Sequence, residues 1–157
     1  MKLLSIVVPV FNDEQYLGEC LSSIVPSLNA QSEVIVVDDG STDGTRAIGR
    51  EFEERVPNRV RMLRHKECRG VAIARNTGLA HAVGSHVLFV DSDDRLTTDA
   101  INLLLNSIAI HTTEDVFFGK WVSESLRSDN SEMFVFRHVE NISSESCLLY
   151  TSPSPRD

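Results

Sequence analysis

Positive charge is what this chain has least of. Its 157 residues carry 15 lysines and arginines against 23 aspartates and glutamates, a formal net charge of −8. Without a basic field to gather a polyanion, the composition argues against non-specific nucleic-acid binding. A phosphate-bearing ligand would need a cation between itself and so acidic a chain. Cysteine is also sparse. Cys20, Cys68 and Cys147 are odd in number and scattered without metal-ligand spacing. They read as reduced thiols of a cytosolic protein, not as a disulfide frame. His65, His81, His86 and His111 do not fall at ligand spacing either, which speaks against a histidine-based metal site. No Gly-x-Gly-x-x-Gly follows the first apolar run, so a dinucleotide-binding dehydrogenase is set aside. The apolar start, residues 3–10, is too short, and broken too soon by Pro9, to read as a signal peptide or a membrane span. There is no internal repeat.

Hydrophobic residues make up 41% and charged residues 24% of the chain, an ordinary composition for one domain with a full core. Residues 3–11 are apolar and β-branched and predict a buried first strand. Pro9 belongs at its end or on an edge, because proline cannot donate to a ladder. Asn12, with Gln15 three residues on, predicts a capped helix. Leu17, Cys20, Leu21, Ile24 and Leu28 give that helix its inward face, and Pro26 ends or kinks it. Residues 33–37 predict a second strand closing on Asp38-Asp39-Gly40-Ser41. Ser41 or Thr42 would cap a second helix facing inward through Ala47, Ile48, Phe52 and Val56. A short third strand over 60–63 follows, then a third helix over 71–83 with Ala72, Leu79, Ala80 and Val83 inward. Residues 86–90 predict a fourth strand, and Thr97 or Thr98 would cap a fourth helix carrying Ile101, Leu104, Leu105 and Ile108. Residues 116–122 and 133–136 predict two more strands. Strand and helix alternating four times means an α/β chain, with a mostly parallel sheet of right-handed crossovers flanked by helices.

The chemistry gathers where strands end. Val87-Leu88-Phe89-Val90 is apolar enough to be covered on both faces, and Asp91-Ser92-Asp93-Asp94 follows it directly. In extended chain Asp91 and Asp93 project to one side. Two carboxylates held together repel unless a proton or a cation lies between them. An isolated Asp-x-Asp is most often a solvated loop capping the next helix. Here, however, Pro9-Val10-Phe11-Asn12 and Asp38-Asp39-Gly40-Ser41 end on the same edge of a parallel sheet, where ligands of such sheets collect. A nucleotide fits. Asp39 could accept from a base N–H, Asp38 or Asp91 could hold ribose hydroxyls, and Asp93 could take the metal on a diphosphate. Carboxylate oxygens suit Mg²⁺ or Mn²⁺.

Four motifs in order, Ile6-Val7-Val8-Pro9-Val10-Phe11-Asn12, Val37-Asp38-Asp39-Gly40-Ser41-Thr42-Asp43, Ala74-Arg75-Asn76-Thr77-Gly78 and Asp91-Ser92-Asp93-Asp94, resemble family 2 glycosyltransferases. The resemblance covers residues 3 to about 97. It implies the GT-A fold, Rossmann-like, over residues 1–140. Residues 141–157 read as a disordered or foreign tail, since 151–157 hold no core-forming residue. The resemblance also implies transfer of a sugar from a nucleoside diphosphate, UDP by family preference, to a sugar or lipid-linked acceptor hydroxyl, usually with inversion. By the same resemblance Pro9, Val10, Phe11 and Asn12 line the base and ribose. Asp39 binds the base, and Asp38 and Ser92 belong to the nucleotide-sugar site. Asp91 reaches ribose and metal, Asp93 holds Mn²⁺ or Mg²⁺, and Arg75 lies near the nucleotide or donor sugar. A polysaccharide-building role follows, in the cytoplasm or at the inner face of the membrane. Any membrane association would come through segments outside this chain.

In the family the catalytic base lies further along. Glu124, Asp129 and Glu132 stand downstream, but no motif selects one, so no base is assigned. The chain reads as an amino-terminal part, and a non-catalytic sugar-nucleotide-binding fragment is the alternative function. A signalling receiver is disfavoured, because its acidic pair should follow the first strand and here follows the second. Cys68-Arg69-Gly70 departs from the small-residue turn common in the family. Arg69 reads first as a solvated loop charge and second as a phosphate contact, and Cys68 as a loop filler. Without the resemblance, Arg75 reads equally as a partner for a sheet-edge carboxylate, and one of Asp38 and Asp39 as a turn cap.

Overall fold

The computed structural model describes residues 2–110. The strands expected over 116–122 and 133–136, the boundary at 140 and the tail over 141–157 lie outside the described residues. The elements are β1 (Leu4–Val10), α1 (Leu17–Ile24), a 3₁₀ turn (Val25–Ser27), β2 (Ser32–Asp38), α2 (Thr45–Arg55), β3 (Val60–Arg64), α3 (Val71–His81), β4 (His86–Phe89) and α4 (Ala100–Ile110). The four strands form one sheet in the order β3-β2-β1-β4. All pairs are parallel, as the strand–helix alternation required.

Every residue of β1 and β2 is buried. Alternation along the strands divides the core into two layers. On one face Val7, Ile35 and Val37 pack with Ala74 of α3. The other face belongs to α1 and α2, where Gly49 of α2 lies against the Met62 side chain. Ser5 is buried in β1 but satisfied: its hydroxyl donates to Glu33 Oε1 at 2.7 Å and accepts from the Gly84 amide at 2.9 Å.

Several elements differ from expectation for physical reasons. Pro9 lies inside a central strand, opposite Val37. It does no harm there, because alternate residues of β1 bond to alternate neighbours. Leu3 and Val7 carbonyls serve the β4 side, accepting from His86 and Val90. Pro9 faces that same side, and pairing with β4 stops at Val7 and Phe89. The missing N–H therefore has no ladder position to fill.

Asn12 does not cap α1, which starts five residues later. It sits at φ 52°, and its side-chain oxygen accepts from the Thr42 amide instead. The turn into α1 begins at Asp13, whose carbonyl accepts from the Tyr16 and Leu17 amides. Pro26 does end α1, inside the 3₁₀ turn. Neither Ser41 nor Thr42 caps α2; Asp43 accepts from the Thr45 amide at 3.0 Å. The buried residues of α2 are Thr45, Gly49 and Phe52, while Ala47 is exposed. Thr97 and Thr98 lie in the turn before α4, where the Ala100 amide donates to Thr97 O.

The face assigned to α3 is the largest correction. Ala72, Leu79, Ala80 and Val83 point outward, and Ala74 and Gly78 point in. The helix lies so close to β1 that only its smallest residues fit. β4, expected to be covered on both faces, is half-buried, with Phe89 42% exposed, because among the described strands it forms an edge. No helix among the described residues is long and apolar enough to cross a membrane.

A Cβ at Gly78 would overlap Val7 Cγ1. Gly78→Ala should therefore destabilise the chain by about 2 kcal/mol through overpacking, outweighing the roughly 1 kcal/mol that alanine gains over glycine in a helix. Urea unfolding measures this, and a neutral or stabilising result contradicts the packing described.

Candidate functional site

The chain steps from β1 to β2 to β3 on one side, then returns to β4 on the other. The strand order thus reverses at β1, and its loop lies between the loops after β2 and β4. That reversal opens a crevice at the carboxyl edge of the sheet. β2 and β4 are two strand spacings apart, about 10 Å. The acidic residues after both strands therefore share one rim.

The β1 and β2 loops are laced together. The Asn12 amide donates to Ser41 Oγ at 2.9 Å, and the Asp13 amide to Thr45 Oγ1 at 2.9 Å. The Glu14 amide donates to Asp43, and Glu14 Oε2 accepts from the Gly44 amide. Burial alone would raise the Asp43 carboxyl, but its bonds from Thr45 and Glu14 hold it below the ordinary range. Of the segment 9–12, Pro9 and Val10 are buried, and only Phe11 and Asn12 reach the surface. The first two support the lining rather than form it.

Asp38 and Asp39 both point into the protein. Asp38 has no exposed side-chain surface. Its Oδ1 accepts from the Ser41 amide at 2.7 Å, and its Oδ2 faces Arg64 Nε at 3.4 Å. It caps the turn and is not available to a ribose. Asp39 is 3% exposed at its side chain. It accepts from His65 Nδ1 at 2.6 Å, from the Arg69 amide at 3.0 Å, from the Gly70 amide at 2.7 Å and from Cys68 Sγ at 3.3 Å. His65 Nε2 meets Thr77 Oγ1 at 2.9 Å. Burial alone would raise the Asp39 carboxyl; the His65, Arg69, Gly70 and Cys68 bonds outweigh it and hold the group below the usual carboxylate range. Gly40 makes this possible. It sits at φ 82°, and a Cβ there would fall 2.7 Å from the Glu67 carbonyl carbon, so any side chain would drive the 65–70 loop off Asp39. Arg64, His65, Lys66, Glu67 and Arg69 line a depression beside it.

The acidic stretch after β4 is not extended. The Asp94 amide donates to Asp91 O at 3.0 Å, closing a turn with Ser92 and Asp93 at its centre. Strand alternation therefore does not set the directions of Asp91 and Asp93. Both nonetheless reach solvent, and the Asp91 side chain is 50% exposed. Ser92 is buried and donates to Asp13 Oδ2. Arg75 of α3 donates to Asp91 Oδ1 at 2.6 Å, and its Nε is buried without an acceptor among the described residues. Beneath the turn Cys20 Sγ lies 3.7 Å from Asp91 O. Its thiol is pushed up to about 12, first by burial and then by the charges of Asp94, Asp93, Asp13 and Asp91. Cys20 is therefore a neutral filler beneath the turn.

The model of Glycosyl transferase family 2 matches residues 5–139. The chain belongs to that family. Glycosyltransferase GlyA of Streptococcus pneumoniae is 37% identical over 133 residues, 85% of this chain and 18% of GlyA. S. aureus TarS 1–349, solved with UDP-GlcNAc, superposes with a TM-score of 0.65 at 33% identity, covering 71% of this chain and 32% of that one. The mannosyltransferase PcManGT of Pyrobaculum calidifontis, solved with GDP-Man and Mn²⁺, gives 0.61 at 32% identity over 68% of this chain and 32% of that one. The family 2 chain thus spans a third or less of these relatives, and its sheet is the amino-terminal part of their GT-A fold.

No group of three or more His, Cys, Asp or Glu side chains able to hold a metal occurs among the described residues of the family 2 chain. Hard divalent cations such as Mg²⁺ can be held by one or two carboxylates together with substrate phosphates. Asp91 and Asp93 both present carboxylate oxygens to solvent, Asp91 with its Oδ1 already engaged by Arg75.

Residue spacing does not single out His65, Asp13 or Thr77. His65 follows β3 directly in the structure, whereas the strand expected over 60–63 ends two residues before it.

Asp39 supplies a test of this geometry. A carboxyl held low on folding stabilises fully above its unfolded value of about 3.9, and that contribution fades as pH falls through the folded value. Asp39→Asn should cost about 3 kcal/mol at pH 7. The gap from the parent should narrow below about pH 4. Urea titrations at pH 7 and pH 3 measure it, and a gap independent of pH contradicts the assignment.

Proposed function

We propose that this chain is the donor-binding part of a glycosyltransferase that moves a sugar from a nucleoside diphosphate, UDP in the first instance, to an acceptor hydroxyl with help from a divalent cation. The observation that carries this reading is the shared rim. Three strand-end loops meet at the reversal of strand order, with a solvent-facing Asp91–Asp93 pair on one side and the Asp39-held loop on the other. TarS with UDP-GlcNAc and PcManGT with GDP-Man and Mn²⁺ support it by likeness.

In this reading Phe11 and Asn12 face the base and ribose, and the 65–70 loop walls the base. Asp39 meets a base N–H where Cys68 now donates; a thiol is a weak donor and the easiest of the four to displace. Arg75 steadies Asp91 and adds positive charge near the phosphates. Mn²⁺ or Mg²⁺ held at Asp91 and Asp93 would supply neutralisation of the charge that develops on the leaving diphosphate. The product would be a polysaccharide or a lipid-linked sugar. The family base is sought downstream, and none is assigned among the described residues. A second reading is binding of the donor without transfer, since no catalytic base is assigned among the described residues.

Calorimetry with UDP and Mn²⁺ should show binding that EDTA abolishes. Asp93→Ala should remove the metal dependence and weaken UDP binding at least tenfold, the loss of about 1.4 kcal/mol. Equal binding by parent and variant, or no effect of EDTA, refutes the site. Sugar transfer or hydrolysis from a panel of sugar nucleotides separates the two readings.

A further inference from the structure

The main chain of β4 is tied to β1 only as far as the Val90 amide, which donates to Val7 O at 3.0 Å. Past that point side chains hold the acidic turn. Arg75 meets Asp91, Cys20 touches the Asp91 carbonyl, Ser23 Oγ accepts from the Leu96 amide, and Arg95 pairs with Glu19. None of these four reaches the central residues of the turn. Among the described residues, the bond from Ser92 Oγ to Asp13 Oδ2 does reach them, between residues 79 positions apart, across the crevice where strand order reverses.

We infer that Asp13 is the positioning residue of the acidic turn: through Ser92 it fixes the turn so that Asp91 and Asp93 face outward together toward a divalent cation. This rests on the donor-binding reading above.

Asp13 is built as a joint. Its amide is pinned to Thr45 Oγ1 at the start of α2, and Thr45 is fully buried. Its carbonyl accepts from the Tyr16 and Leu17 amides at 3.1 and 3.0 Å, which starts α1. Its side chain alone is left to reach over, and it reaches Ser92. A hydroxyl donating to a carboxylate makes a charge-assisted bond, stronger than one to a neutral acceptor. That strength is needed, because Asp13 adds a further negative charge beside Asp91, Asp93 and Asp94, and like charges oppose the close placement. Partners that orient metal ligands without touching the metal commonly change its affinity by 10- to 100-fold when removed.

The test uses the full 157-residue chain. The first readout is the Mn²⁺ concentration that half-saturates UDP binding. Ser92→Ala and Asp13→Ala should each raise it about tenfold. The double variant should be no worse than either single, because both remove one bond. Asp13→Asn keeps an acceptor for Ser92 and should recover most of the loss. The second readout needs no metal: hydrogen exchange at the Asp94 amide should quicken several-fold in Ser92→Ala and Asp13→Ala, against Val36 in β2 as reference, and much less in Asp13→Asn. Unchanged exchange at Asp94 overturns the inference even where Mn²⁺-dependent UDP binding is found. Asp13→Asn as weak as Asp13→Ala also overturns it, since charge and not position would then be at work. A parent that binds no UDP with Mn²⁺ while the exchange changes as expected refutes the donor-binding reading, and with it the cation half of this inference.

Discussion

Parallel pairing of β1 with a strand on each side is the constraint from which the rest follows. It buries every residue of β1. It also forces three loops to leave the sheet at one edge, beside each other, whatever their sequences. The loops after β1 and β2 then lock through Asn12, Asp13, Glu14 and their partners in 41–45. The loop after β4 joins them through Ser92. A surface that looks like three unrelated loops is thus one framework hung on a single central strand.

Within that framework, carboxylates do two different jobs, and burial separates them. Asp38 and Asp39 are enclosed: Asp38 Oδ1 accepts from the Ser41 amide while its Oδ2, without a hydrogen-bond donor among the described residues, faces the Arg64 charge, and Asp39 is met by His65, Cys68 and two amides. Buried carboxylates survive only with such partners. They shape the loops. Asp91 and Asp93 reach solvent, where a charge costs little, and Asp91 pairs with Arg75; in the proposed reading they face a cation. Cys20 lies under them as a thiol too reluctant to ionise to add charge of its own.

The parallel sheet and its flanking helices are legible in the sequence, because apolar β-branched runs and strand–helix alternation constrain topology strongly. The sequence is less informative about faces and ends. The inward face of α3 is not legible, because apolar spacing favours the large residues, whereas a close helix–strand approach selects Ala74 and Gly78. Asn12 looked like a cap from its local spacing, but its side chain is used by Thr42, 30 residues away. Pairings of that kind leave no periodic trace. The same holds for Asp13 with Ser92 and His65 with Asp39, which only the folded edge brings together.

The chain belongs to glycosyl transferase family 2, whose model spans residues 5–139 and so includes all three of these loops. The central claim is that separate strand-end loops make one donor site. Backbone NMR of the full chain, titrated with UDP and Mg²⁺ and then with Mn²⁺ in place of Mg²⁺, tests it most directly. The account predicts shift changes confined to residues 11–13, 39–41, 65–70 and 91–94, with Mn²⁺ broadening centred on Asp93. Shifts scattered elsewhere, or broadening centred away from the 91–94 turn, would contradict it.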